Sequence, residues 1–347
     1  MATSESVAAT HPVLPPVTVT ESPEGIAAGV ESLAAAHRTE RPSRSHPSLR
    51  LTPPELRVGD AVSVPEAVEA AIPDRSVTLR LPRSREAVFV AAPLAYYLGA
   101  AIELDDDREP ALLCEAADLV RELPSLPDLQ EACASLLRRT FFLDCLVRAI
   151  DAPRLDPDGE GDRILRDELA VDVGTFRDRT VGERLTRYLT VPADLLAEYT
   201  PEWHLSTYVA PSPETVGCLP SLLDKLSQVY LPRARRLGNE DLLDRTLDNA
   251  YQRGRTTLPS RIKPELRQGQ LHAWLAPGAP VGAVKATPRA IREGGQSPAA
   301  PSGSPNLTVV CNDEQMREEI LDSIAAADTR ETRPVDLAVR TNVTVER

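Results

Sequence analysis

The chain has 347 residues, 42 % of them apolar but only 4 % aromatic, and a formal net charge of −13. That length suits two or three compact units with aliphatic cores. The acidic surplus repels phosphate backbones and anionic lipid heads, which disfavours non-specific nucleic-acid and membrane-surface binding.

Only three of the 39 basic residues are lysine: Lys225, Lys263 and Lys285. Carboxylate excess with arginine replacing lysine is what a high-salt cytosol tends to select, because carboxylates keep a surface hydrated there; a GC-rich genome would also favour Arg, Ala and Pro, but does not explain the carboxylates. The five cysteines, Cys114, Cys133, Cys145, Cys218 and Cys311, are odd in number and widely spaced, with no CxxC pair. They are expected to be reduced thiols in a cytoplasmic protein, not metal ligands or disulfides. The N-terminus "MATSESVAATHPVLPP" has no basic n-region followed by an apolar core, so no signal peptide is expected. No apolar run is long enough to span a bilayer.

Residues 1–47 are rich in Pro, Ser, Thr and Ala without sustained periodicity, and are expected to form a disordered arm. A short helix at "EGIAAGVESLAAAH" is the one element expected inside it. The body is expected over 48–294, mainly helical with a few strands. "SVTLRL" alternates Val77, Leu79 and Leu81 as a strand. "REAVFVAAPLAYYLGA" reads as a buried helix stopped by Gly99, and "AIELDDD" and "ALLCEA" as strand edges around an acidic turn.

"DLQEACASLLRRTFFLDCLVRAI" is the strongest helix signal, with Leu129, Cys133, Leu136, Thr140, Leu143, Val147 and Ile150 on one face. Asp144 stands four residues before Arg148, a spacing suited to a helical ion pair. Shorter helices are expected near "RILRDEL" and "VGERLTRYLTVPADLLAEY", and a strand at "WHLSTYVA". In "SPETVGCLPSLLDKLSQVYLP" Ser212 caps a helix with Pro213 at its first position. Val216, Leu219, Leu223, Leu226 and Val229 would stripe that helix, with a break at Pro220.

A linker is expected at 295–305, where "QSPAAPSGSP" stands, and a partial α/β unit at 306–347. "NLTVVC" suits a buried parallel strand, and Asn312 with Gln315 suits a capping box opening a helix striped by Met316, Ile320, Ile324 and Ala327. "PVDLAVRTNVTV" would return as a second strand in a βαβ unit. Two strands alone leave their faces uncovered, so they are expected to add to a sheet of the earlier body, to be covered by a partner chain, or to be the opening of a longer domain in a truncated copy.

"LTVVCNDEQMREE", with "AWLAPGAPVGAVKATP" and "WHLSTYVAPSPETVGCLPSLLDKLSQVYLP" before it, resembles an uncharacterised family from halophilic archaea. In that family the corresponding strand opens a C-terminal domain similar to the caspase-like CHAT fold. The resemblance runs from about residue 75 to the end. It implies a non-catalytic regulatory or protein-interaction region ahead of a CHAT-like unit. The His and Cys of the caspase-like dyad follow later strands, so the resemblance assigns no dyad here.

The remaining motifs favour ordinary readings. Cys311, at a strand end before a helix, would be the nucleophile of the alternative, a cysteine hydrolase or its remnant, but a base is not in sight. "GAPVGAVKA" sets Gly278, Gly282 and Lys285 loosely like a phosphate loop without its spacing. His204 and Ser206 share one side of a strand but lack a nucleophile elbow. Asp105, Asp106 and Asp107 lack the EF-hand pattern. "RARRLGNEDLLDR" reads as a solvated helix face. The sequence thus assigns no catalytic residue, no metal site and no cofactor. The expected partner is protein, with no nucleic acid and no membrane.

Overall fold

The computed structural model describes residues 13–37, 42–47, 50–73, 75–151, 163–164, 179–237, 261–295, 306–310 and 336–340. The chain divides into two compact units, Met1–Gly295 and Gln296–Arg347. The first unit mixes helix and strand, and two strands of the second are described, so the fold is of the mixed α+β or α/β class expected.

The first unit begins inside the stretch assigned by composition to a disordered arm. For residues 13–37 that expectation fails. Strand β1 (Val17–Val19) leads into helix α1 (Pro23–Leu33), and β1 pairs in parallel with β2 (Leu56–Val58). Ser22 caps α1 by accepting a hydrogen bond from the Gly25 amide. A Cβ at Gly25 would lie 2.1 Å from Thr20 Oγ1, so only glycine lets the helix start that close to the strand. Val17, Val19, Ile26, Val30 and Leu33 are all fully buried in the main core. Short apolar runs among Ser, Thr and Ala gave little periodic signal, yet they bury enough surface to be held.

Helix α2 (Glu66–Glu69) precedes a four-stranded sheet in the order β4-β3-β5-β6, formed by β3 (Thr78–Leu81), β4 (Ala101–Leu104), β5 (Ala111–Cys114) and β6 (Leu119–Glu122). β3 runs parallel to β4 and antiparallel to β5. The β3–β4 crossover is α3 (Arg85–Leu98), whose residues from Ala87 to Leu98 are all buried. Ser84 caps its start, and Gly99 ends it at φ 62°, in the left-handed region. A helix apolar on every side belongs in the centre of a domain, and α3 packs against α1 and against α4 (Leu129–Asp151).

Beyond α4, α5 (Val181–Thr190) is opened by a complete capping box: Glu183 N–H donates to Thr180 Oγ1 and Thr180 N–H to Glu183 Oε2. Helix α6 (Ala193–Tyr199) follows. Strand β7 (Leu205–Val209), helices α7 (Pro213–Val216) and α8 (Leu219–Asp224), and strand β8 (Gln228–Tyr230) come next. The break expected at Pro220 falls between α7 and α8, with the proline in the first turn of α8. Val229 does not continue the helical stripe, because Leu226 takes φ 49° and the chain turns into β8.

Residues 233–236 also depart from expectation. They are not a helix face: Ala234–Arg236 is the exposed strand β9, antiparallel to β10 (Arg261–Pro264). With β11 (Leu271–Leu275), β12 (Ala279–Pro280) and β13 (Val284–Lys285), two more sheets close, in the orders β12-β10-β9 and β13-β11-β7-β8. All pairings in the second of these are parallel. Helix α9 (Pro288–Gly295) ends the unit.

In the second unit β14 (Asn306–Val310) and β15 (Asp336–Arg340) pair in parallel, Leu307 beside Leu337 and Val309 beside Val339. The helix expected between them, the linker at 295–305 apart from Gly295, which ends α9, and "RILRDEL", apart from Arg163 and Ile164, lie outside the described residues.

Candidate functional site

The parallel sheet sorts its side chains by the two-residue period of a strand. Val209, Val229 and Leu275 join the main core on one face, while Tyr208, Tyr230 and Trp274 form a separate cluster on the other. On that second face Tyr208 stacks between its neighbours, its ring centroid 5.6 Å from Tyr230 and 5.7 Å from Trp274. The polar tips are tied down. Tyr230 Oη donates to Gln228 Oε1 at 3.0 Å, Trp274 Nε1 to the Pro277 carbonyl at 3.1 Å, and the Arg267 amide to Tyr208 Oη at 2.6 Å. All three rings are buried, so they make a rigid floor.

A cavity of about 170 Å³ lies over this floor, walled by Gln130 of α4, Tyr208, Tyr230, Arg233, Glu265 and Arg267. Gln130 Oε1 accepts from the Leu231 amide at 3.0 Å, which fixes the wall against β8. Arg233, Glu265 and Arg267 are exposed, so the rim carries two guanidiniums and one carboxylate in water above an aromatic base.

Ser206 and His272 stand side by side on the same sheet, in register on β7 and β11. Ser206 Oγ and His272 Nδ1 are buried without a hydrogen-bond partner. A Cβ on Gly269 would lie 3.3 Å from Ser206 Oγ and 3.4 Å from His272 Cε1, so the loop backbone presses on both. Ser206 has no solvent exposure, which denies a substrate access to its oxygen. The sequence did not foresee this pairing, since parallel register is set by tertiary packing. The alternation in "LHAWL" is its only trace.

The other singled-out residues are engaged locally. His204 is exposed and its Nε2 lies 2.8 Å from the Lys225 carbonyl oxygen. Gly278 and Gly282, at φ 92° and 86°, occupy left-handed turn positions, and Lys285 Nζ donates to the Ala276 carbonyl. Asp105 accepts from the Asp107 amide and from Arg108, and Asp106 from the Arg83 amide at 2.7 Å. Cys114, Cys133, Cys145 and Cys218 are free thiols. Burial pushes Cys133 up to about 12 and Cys218 up to about 11, far from the range of a thiolate nucleophile. Cys311 lies outside the described residues.

The largest correction concerns Asp144. It forms no pair with Arg148, whose Nη1 donates to Ser45. Asp144 is fully buried, and three donors reach its carboxylate: Arg44 Nε at 2.8 Å and Tyr97 Oη at 2.8 Å on Oδ2, Tyr188 Oη at 2.8 Å on Oδ1. Arg184 Nε stands 3.8 Å from Oδ1. Four separate segments meet there: the 3₁₀ turn Pro42–Ser45, α3, α4 and α5. Burial holds both tyrosine hydroxyls well above their ordinary range, with Asp144 adding to the effect, so they remain donors.

Among the described residues no group of three or more His, Cys, Asp or Glu side chains could hold a metal, and no helix is long and apolar enough to cross a membrane. No family model, curated protein or solved structure matches the chain.

Proposed function

We propose that this chain is a non-catalytic protein-interaction region that grips one acidic anchor side chain of a partner in the cleft over Tyr208 and Tyr230. The volume of that cleft carries the reading. At about 170 Å³ it falls below the roughly 300–1,000 Å³ typical of small-molecule sites, and suits a single inserted side chain. Arg233 and Arg267 on the rim supply guanidiniums suited to a carboxylate, and the pinned aromatic floor costs little entropy on binding. Such a region would regulate a CHAT-like effector unit of the kind the C-terminal segments resemble. The parallel pairing of β14 and β15 is compatible with the edge of that unit.

Panning a random peptide library on the full chain tests the cleft. Peptides sharing an acidic anchor are expected to be enriched, and to be lost with Arg267→Glu. Enrichment that ignores Arg267→Glu, or none at all, overturns the reading. The alternative is a cysteine hydrolase using Cys311, favoured by the end of β14 at the residue before it. Incubation of the native chain with a peptidyl thiol-reactive electrophile separates the two. Labelling at Cys311 faster than in the unfolded chain would establish the hydrolase instead.

A further inference from the structure

Two arginines, Arg44 and Arg184, approach the single carboxylate of Asp144, and they are 2 % and 1 % exposed. Arginine keeps its proton under all ordinary conditions, so this core cannot relieve an excess positive charge by titration as a buried lysine would. Of the two guanidiniums at its carboxylate, Asp144 balances one and leaves one charge over; Arg148, which reaches Ser45 instead, adds no negative charge. The donors tell the same story. Tyr97, Tyr188 and Arg44 Nε already occupy Asp144, whereas Arg44 Nη2, Arg184 Nε and Arg184 Nη2 are buried without a hydrogen-bond partner, Arg184 Nε reaching Asp144 only at ion-pair distance. Arg184 spends only Nη1, on the Arg179 carbonyl at 2.6 Å. A buried unpaired charge with empty donors is among the costliest arrangements a core can hold.

We infer that a monovalent inorganic anion of chloride size binds between Arg44 and Arg184, accepting from their unpartnered Nη2 donors and neutralising the surplus charge beside Asp144. A surplus of one charge matches a monovalent ion better than phosphate. Donors this deeply buried are suited to an ion that leaves its water behind, not to a large organic acid. The ion would join the turn Pro42–Ser45 to α5, so its binding contributes directly to the fold.

The test is thermal unfolding of the full chain in sodium chloride or bromide against sodium isethionate at equal ionic strength, from about 0.01 to about 1 M. The halides are expected to raise Tm by about 5 °C more than isethionate. Arg184→Gln should remove the halide-specific part whatever its starting Tm. Should that variant fail to fold, anomalous scattering from bromide in wild-type crystals decides: a peak in contact with Arg44 Nη2 and Arg184 Nη2 is expected. Equal Tm in both salts, or only water at that position, overturns the inference.

Discussion

Asp144 illustrates how little a side chain's neighbours in sequence determine its partners in space. Its spacing to Arg148 permits a helical ion pair, but such exposed pairs contribute only a few tenths of a kcal/mol. Burial against Arg44 and two tyrosine hydroxyls wins, because a desolvated carboxylate needs its donors far more than an exposed one. Asp144→Ala would leave two buried guanidiniums facing an emptied site. It should destabilise the chain by about 3–5 kcal/mol, read from urea unfolding. Tyr188→Phe removes one donor and keeps the ring, so its cost should be smaller, about 1–3 kcal/mol. His37 shows the opposite situation. It lies buried against Tyr96, ring centroids 4.4 Å apart, with neither ring nitrogen in hydrogen-bonding geometry. Burial first, then the charges of Arg44 and Arg50, depress it from 6.5 to about 3. The unfolded chain therefore binds the extra proton between pH 6.5 and 3, so stability is full above 6.5 and falls as the pH drops through that window. His37→Phe keeps the stacking and cannot protonate. Its unfolding free energy should fall less than wild type between pH 7 and 4.5, measured in parallel urea titrations.

At the scale of elements, glycine contacts fix where helices land. A Cβ on Gly182 would lie 2.1 Å from Cys114 Sγ, because the first turn of α5 sits directly on the end of β5. Gly182→Ala should cost about 1–3 kcal/mol as overpacking. Adding Cys114→Ala should restore part of that loss, a coupling visible in a double-mutant cycle of denaturation midpoints. The elements with a local signal were readable: α3 from its unbroken apolar run and Gly99, α4 from its three-and-four spacing, α7 from Ser212 and Pro213. What escaped were short strands such as β9 to β13, each five residues or fewer. Their stability comes from cross-strand partners, which no local window contains.

For the whole molecule, residues 13–37 of the stretch expected to be an arm belong to the fold. Composition alone classed residues 1–47 as an arm, because alanine and serine contribute to apolar packing without a strong hydrophobic pattern. Yet Ile26, Val30 and Leu33 sit in the same core as α3. Deleting residues 1–37 should abolish the cooperative melt followed by circular dichroism, whereas loss of a true arm would leave Tm unchanged. A milder probe, Leu33→Ala, should cost about 2–5 kcal/mol. The candidate site was the least legible part of all. Tyr208, Tyr230 and Trp274 meet only through parallel strand register, and the Arg44–Asp144 contact joins residues 100 apart.

That separation has a consequence for how the protein is made. At about 5–20 residues per second on the ribosome, Asp144 is added roughly 5–20 s after Arg44, and Tyr188 later still. Strand β1 can find β2 early, since both are synthesised well before Asp144. The guanidinium of Arg44 must stay hydrated meanwhile. The latch between Arg44 and Asp144 can therefore close only after translation has delivered α4.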